Sequence, residues 1–250
     1  MVQRTIAISD IHGCYAEFNR LLQSLSYTPD EDRLILLGDY VDRGPNSREV
    51  LDQLTAMACH GNVVMLRGNH DQRFIDWMSN DDPLTQAKFV EHGGLATIQS
   101  YCGEEWSSIR WDDEKVSLLK EWIQSRYAAH LDLLSRLPLY YEDEHHIYVH
   151  AGLNPAYPQW QEQPERDFMW IRAPFYNQPT VVSKVVVFGH TQTMELHDQS
   201  NIWFGGDKIG LDGGCAYGYQ LNALQIREPL AYQSFCVPAE GKARNERAVG

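Results

Sequence analysis

The sequence predicts an α/β protein: two packed mixed β-sheets flanked by helices, with a helical cap insertion. Two observations carry that expectation. Over the first 70 residues, short apolar runs alternate with amphipathic helical stretches, and each run ends in a polar cluster. The later part of the chain turns to short apolar segments separated by glycine-rich turns, the pattern of a second sheet.

Residues 4–9 read as the first strand, ending at Asp10-Ile11-His12-Gly13. Tyr15, Phe18, Leu21, Leu22 and Leu25 then recur at helical spacing and stop near Thr28-Pro29. A second apolar run, 34–37, delivers Gly38-Asp39-Tyr40-Val41-Asp42-Arg43-Gly44. Val50, Leu51, Leu54 and Met57 share the next helix face, which His60-Gly61 ends. A third run, 63–66, delivers Arg67-Gly68-Asn69-His70-Asp71. From Asp10 to Asp39 is 29 residues and from Asp39 to Asn69 is 30, each about one strand–helix–strand unit, so the three strands should be parallel.

From residue 79 to about 127 the character changes. Asn80-Asp81-Asp82-Pro83 is a turn, His92-Gly93-Gly94 breaks a helical stretch, and Val116, Leu119, Trp122 and Ile123 mark a short amphipathic helix. This segment is expected to cap the cleft, with Trp77, Tyr101, Trp106 and Trp111 as packing residues. Leu131, Leu134 and Leu137 form a further helix ending at Pro138. Segments 139–141 and 147–149 read as a hairpin, the second delivering His150-Ala151-Gly152, and 185–188 delivers Gly189-His190-Thr191. Segments near 202–204, 209–211, 220–226 and 232–237 complete a second, largely antiparallel sheet. The organisation expected is a single domain over 1–238, with the insertion inside it and a polar tail at 239–250.

Composition narrows the function classes. A chain of 250 residues supports one sizeable core. The net charge of −13 argues against nonspecific binding to nucleic acid or to an anionic membrane. No run approaches the roughly 18 apolar residues of a membrane span, and no basic-then-apolar leader precedes the first strand. The five cysteines are odd in number and lack Cys-x-x-Cys spacing, which suits reduced thiols and a cytoplasmic setting.

The strand ends carry Asp10 and His12; Asp39, Asp42 and Arg43; Asn69 and His70; His150; and His190. Any one such cluster is more often a polar turn or a satisfied histidine than a ligand. Five in series, each after an apolar run, point to a metal site. Carboxylate, imidazole and amide oxygen suit Mn²⁺ or Fe, with Zn²⁺ also admissible, and the thiolates of structural zinc are missing. Two such cations would lower the pKa of a shared water for in-line attack on phosphorus, and an arginine fork would hold the phosphoryl oxygens.

The series Asp10-x-His12-Gly13, Gly38-Asp39-x-x-Asp42-Arg43-Gly44, Gly68-Asn69-His70-Asp71, His150-Ala151-Gly152 and Gly189-His190 resembles the calcineurin-like metallophosphoesterases. Within them it is most similar to the phosphoprotein phosphatase branch, particularly small bacterial and phage members. The resemblance runs from Asp10 to about residue 226 and implies a four-layer sandwich. It implies that Asp10, His12 and Asp39 hold one metal, and that Asp39 bridges to a second completed by Asn69, His150 and His190. His70 would be the general acid oriented by Asp42, and Arg43 the phosphate clamp, with Asn69 beside it. Arg172, in Trp170-Ile171-Arg172-Ala173-Pro174, would be a second phosphate arginine, unless it is a surface ion pair. Asp212-Gly213-Gly214 with Tyr217-Gly218 resembles the glycine-rich segment that closes the bacterial sites. His60, His92, His130, His145, His146 and His197 are expected to stand outside the metal site, with His145 and His146 facing solvent.

Two departures bear on substrate. Asp71 stands where protein phosphatases typically carry Glu, as is common in diadenosine-polyphosphate hydrolases. Gln192 stands where many non-protein phosphoesterases have a second histidine, which points back towards protein phosphatases. The leading expectation is therefore a serine/threonine protein phosphatase, with phosphotyrosine also admissible, acting on a phosphorylated protein or small phosphoester. The alternative is a hydrolase of dinucleoside polyphosphates or other nucleotides. A non-catalytic scaffold would be expected to lose ligands or the general acid, and all are present. A nucleotide-binding module lacks Gly-x-Gly-x-x-Gly or Walker loops, and no Gly-x-Ser-x-Gly elbow is found.

Overall fold

The computed structural model describes residues 4–103, 113–227 and 230–240. In chain order, β1 (Arg4–Ile8), α1 (Tyr15–Ser24), β2 (Asp32–Leu36), α2 (Ser47–Met57), β3 (Val63–Met65) and α3 (Asn69–Ser79) form the amino-terminal half-sheet and its helices. Next come α4 (Pro83–Phe89), a π-turn (Val90–Gly94), α5 (Leu95–Cys102) and α6 (Asp113–Arg136). The hairpin β4 (Tyr140–Glu142) and β5 (His146–Val149) leads through α7 (Glu165–Trp170) and α8 (Ala173–Tyr176) to β6 (Val185–Phe188). Then follow α9 (Thr193–His197), β7 (Trp203–Phe204), β8 (Lys208–Gly210), β9 (Gln220–Ile226) and β10 (Tyr232–Pro238).

Among the described residues these strands form two five-stranded sheets, ordered β10-β9-β1-β2-β3 and β4-β5-β6-β8-β7. Strands β1, β2 and β3 are parallel, with Ile6 opposite Leu34 and Ile35 opposite Val64, as the spacing predicts. Alternation along each strand then builds four layers. Ile6, Ile8, Leu34 and Leu36 pack outward on Phe18, Leu21, Val50 and Leu51 of the first two helices. Ala7, Ile35 and Leu37 point the other way and meet Tyr148, Val187 and Ile209 of the second sheet. Ile147, Val149, Val186 and Phe188 cover the far face, against Trp160, Phe168 and Phe175.

Two expectations change. The second sheet is mixed, not largely antiparallel: β5, β6 and β8 run parallel, with antiparallel pairs only at the β4 and β7 edges. The crossovers through α7, α8 and α9 are long enough to return the chain to the same end, which a hairpin cannot do. Strands β9 and β10 join the first sheet, pairing antiparallel on the free edge of β1. The two helices expected on either side of residue 127 meet within α6, where Tyr127 (φ −128°, ψ 30°) is a non-helical break between two helical stretches.

Of the four insertion aromatics, Trp77 and Tyr101 are buried against Phe74 and Phe89, whereas Trp106 and Trp111 lie outside the described residues, as does tail segment 241–250. His146 is buried rather than solvent-facing: its ring meets Asp143 at 3.2 Å and the Tyr232 hydroxyl at 2.9 Å. His130, which has no partner evident in sequence, sits between the Tyr101 hydroxyl (2.9 Å) and Asp52 (3.1 Å).

Candidate metal centre

Both parallel strand triplets end on the same side, and their following loops bend sharply into one cleft. Asp10, His12, Asp39, Asp42, Arg43 and His190 all have positive φ, between 43° and 71°. Non-glycine residues adopt that conformation at a cost of about 1–3 kcal/mol each and cluster where function demands it. Here the turns interlock: the His12 N–H donates to the Asp39 carbonyl (2.8 Å) and the Gly13 N–H to the Tyr40 carbonyl (2.8 Å). Gly189 is required by close approach, since a Cβ there would run into Ser9 Oγ and Asp10 Oδ2.

The six residues expected as ligands come together around Asp39. His12 Nε2 lies 3.4 Å and His150 Nε2 3.5 Å from Asp39 Oδ2. Asp10 is 3.9 Å from His12, and Asp10 Oδ2 accepts the His190 N–H at 3.0 Å. Asn69 Oδ1 is 3.0 Å from His150 Nε2. Two sets of side-chain atoms that include Asp39 lie close enough to share a cation, His12 with Asp39 and His70, and Asp39 with His150 and His190; a third set, Cys14 with Glu17 and Cys215, lacks Asp39. The tautomers are set from behind: His12 Nδ1 donates to the Val41 carbonyl (2.7 Å) and His150 Nδ1 to the Leu37 carbonyl (2.9 Å), so each Nε2 faces the cleft.

The electrostatics ask for positive charge. Burial would raise Asp39, but the facing His150 and His70 rings hold it well below the usual carboxylate range. Burial raises Asp10, with Asp39 adding to it against the pull of His150. Burial would lower His150, yet Asp39 and Asp10 push it up to about 9. His12 is driven down to about 3 by burial and by Arg43. His190 Nε2 is buried with no hydrogen-bond partner among the described residues. Buried carboxylates facing an orphaned imidazole nitrogen fit divalent cations bound through oxygen and nitrogen.

His70 sits in the first turn of α3, its Nδ1 2.7 Å from Asp42 Oδ2 and its backbone N–H on Asp39 Oδ1 (2.8 Å). Thr97, on α5 of the insertion, closes the other side of Asp42. Its Oγ1 donates to Asp42 Oδ1 (2.7 Å) and accepts the Asp42 N–H (2.8 Å). Asp71 is a clasp: its carboxylate accepts the N–H groups of Gly68, Asp39 and Tyr40 at 2.8–2.9 Å, joining the second and third motifs.

A cavity of about 190 Å³ opens beside these groups, lined by Asp39, Asn69, His70 and His190 with Arg43, Arg73, His92, Trp170, Arg172, Gln192, Asp212 and Tyr217. Arg43 Nη1 donates to His12 Nε2 (2.8 Å) and its guanidinium lies 4.9 Å from the Tyr217 ring. Arg172 reaches the cavity yet also pairs with Glu195 (3.3 Å), so the surface ion pair and the cavity position coexist. Sequence reasoning missed Arg73 and Thr97 and placed His92 only outside the metal site. Arg73 follows Asn69 by four residues and His70 by three, and that helical spacing was the available signal. Thr97 had none, because its partner is 55 residues away.

The family model described as calcineurin-like phosphoesterase matches residues 3–194. A symmetrical bis(5'-nucleosyl)-tetraphosphatase of Methylobacillus flagellatus is 25% identical, covering 95% of this chain and 97% of its own. An asymmetrical bis(5'-nucleosyl)-tetraphosphatase of Anoxybacillus flavithermus is 27% identical over 88% of this chain and 89% of its own. Serine/threonine-protein phosphatase 1 of Salmonella typhimurium is 25% identical over 88% and 90%. A solved structure described as a candidate diadenosine tetraphosphatase superposes with a TM-score of 0.63 at 24% identity, covering 96% of this chain and 95% of that one, and shows the shared fold. These relatives overturn the protein-phosphatase expectation in favour of its alternative. Of the two sequence departures, Asp71 was the one to weigh.

Proposed function

The chain belongs to the calcineurin-like phosphoesterase family, and from that premise we propose that it hydrolyses dinucleoside polyphosphates of the bis(5'-nucleosyl)-tetraphosphate type. One observation carries the reading: His12, His150 and His190 from three strand ends close on Asp39, beside a cavity lined by Arg43, Arg73 and Arg172. In this reading Asp10, His12 and Asp39 hold one divalent cation, and Asp39, Asn69, His150 and His190 a second. The donor set favours Mn²⁺, with Fe and Zn²⁺ as the other metals it accepts. When bound, the pair supplies an activated water and neutralises phosphoryl charge.

The chain's own groups do the rest. Arg43 leaves His12 Nε2 and turns its fork to the equatorial oxygens of the phosphoryl group under attack, with Arg172 at the outer edge. Asp42, pinned by Thr97, holds His70 through Nδ1, so that Nε2 is presented to the oxygen that leaves. Water adds to phosphorus, the P–O bond to the departing nucleotide breaks, and that oxygen takes a proton from His70 or departs as the nucleotide anion.

The test is a substrate panel: diadenosine tetraphosphate, a phosphothreonine peptide and a phosphodiester, each at fixed Mn²⁺. The expected outcome is preferred turnover of the tetraphosphate, abolished by a chelator and restored best by Mn²⁺. Preferred turnover of the phosphopeptide would overturn the reading.

A further inference from the structure

Arg73 stands apart from the other cavity arginines. Arg43 has His12 and Tyr217, and Arg172 has Glu195 and the His190 carbonyl. Arg73 makes no hydrogen bond or ion pair among the described residues, and its Nη1 is shut off from solvent. A buried donor left unpaired costs about 1–3 kcal/mol, more when charged. Burial accordingly lowers its pKa, against the attraction of Asp42 and Asp39. It does not bond Asp42, whose two oxygens are met by Thr97 and by His70.

Its position suggests what it waits for. It lies one helical turn beyond His70 on α3, about 5 Å further along the axis, and lines the same cavity as the group proposed to meet the leaving oxygen. His92, whose ring centre is 6.4 Å from that of His70, shares this wall; its Nδ1 is held by the Lys88 carbonyl (2.8 Å), which leaves Nε2 for a ligand. The cavity is smaller than the roughly 300 Å³ at the lower end of pockets that enclose a whole cofactor. It has room for phosphates, while nucleosides must lie beyond its rim.

We propose that Arg73, with His92 beside it, is the subsite for the phosphates of the leaving group, and that it selects polyphosphate substrates over simple monoesters. This rests on the dinucleoside polyphosphate reading above. Its guanidinium would meet the oxygens of the departing nucleoside diphosphate, whose negative charge grows as the P–O bond breaks.

The experiment compares wild type with Arg73→Gln and Arg73→Lys at fixed free Mn²⁺. Two ratios are read: kcat/KM for diadenosine tetraphosphate over that for p-nitrophenyl phosphate, and the inhibition constant of methylenediphosphonate over that of orthophosphate. For Arg73→Gln the first ratio should fall at least tenfold and the diphosphonate should lose at least tenfold of its advantage, with Arg73→Lys in between. Ratios within twofold of wild type, whether both substrates fall together or neither changes, would overturn the subsite. Were wild type to turn over only p-nitrophenyl phosphate, the polyphosphate reading itself would fail. The diphosphonate ratio would then decide Arg73 alone.

Discussion

His70 illustrates how much a single side chain owes to its neighbours. Burial pulls its pKa well below the ordinary histidine value, while Asp39 pulls the other way. What fixes its direction is geometry: a carboxylate at 2.7 Å on Nδ1 and a backbone bond to Asp39 on the main-chain side. Replacing it with alanine should lower turnover by about 10²–10⁴, the usual range for losing a positioned proton donor. Metal content, measured by elemental analysis, should stay near two ions per chain. Unchanged turnover would remove His70 from the mechanism. At this scale the sequence was highly legible, since the identity of Asp10, His12, Asp39, Asn69, His70, His150 and His190 could be read from their place after apolar runs. Their backbone conformation could not. Six candidate residues in the left-handed region are held there by the turns they make with one another and by bonds from the insertion to Asp42 and Arg43.

The insertion is an element whose helices show in the pattern and whose purpose does not. Gly93, with φ of 100°, breaks the helical run as its sequence suggests. The broken end then offers its carbonyl to the Arg43 N–H at 3.1 Å, and α5 presents Thr97 to Asp42. The segment expected to cap the cleft thus also braces the second motif from behind. Thr97→Val keeps the shape and removes the hydroxyl, leaving the buried Asp42 carboxylate and N–H short of partners. It should cost about 1–3 kcal/mol in urea denaturation and lower turnover several-fold, and Thr97→Ser should recover most of both. Equal stability and turnover in the valine variant would show that the brace is idle.

For the whole molecule, the end opposite the site is tied by charge. Arg4 and Asp32 are register partners on β1 and β2, and the guanidinium meets the carboxylate at 2.8 Å and 3.0 Å while also reaching the Leu25 carbonyl. Burial pushes the Asp32 carboxyl up, but the Arg4 hydrogen bond and charge prevail, so its folded pKa lies below its ordinary value. A depressed acid stabilises the fold above its unfolded pKa of about 3.9 and loses that contribution as pH falls through the folded value. Wild type should therefore exceed Asp32→Asn by about 1–3 kcal/mol near neutral pH, and the gap in urea denaturation should close below about pH 4. A gap that persists undiminished into stronger acid would contradict the linkage.

The order of residue types along the chain determined the parallel β1–β2–β3 unit, the chemistry of the candidate metal donors and the pairing of His70, the proposed general acid, with a carboxylate. Each depends on local rules: period-two and period-3.6 burial, and polar residues placed where strands end. Long-range contacts decided the rest. The pairing of β9 with β1, the parallel centre of the second sheet and the Thr97 brace all join residues with no neighbour in sequence to announce them. A hydrogen bond between Asp42 and Thr97 leaves no periodic trace, because only the packing of two sheets and their helices brings that hydroxyl within reach.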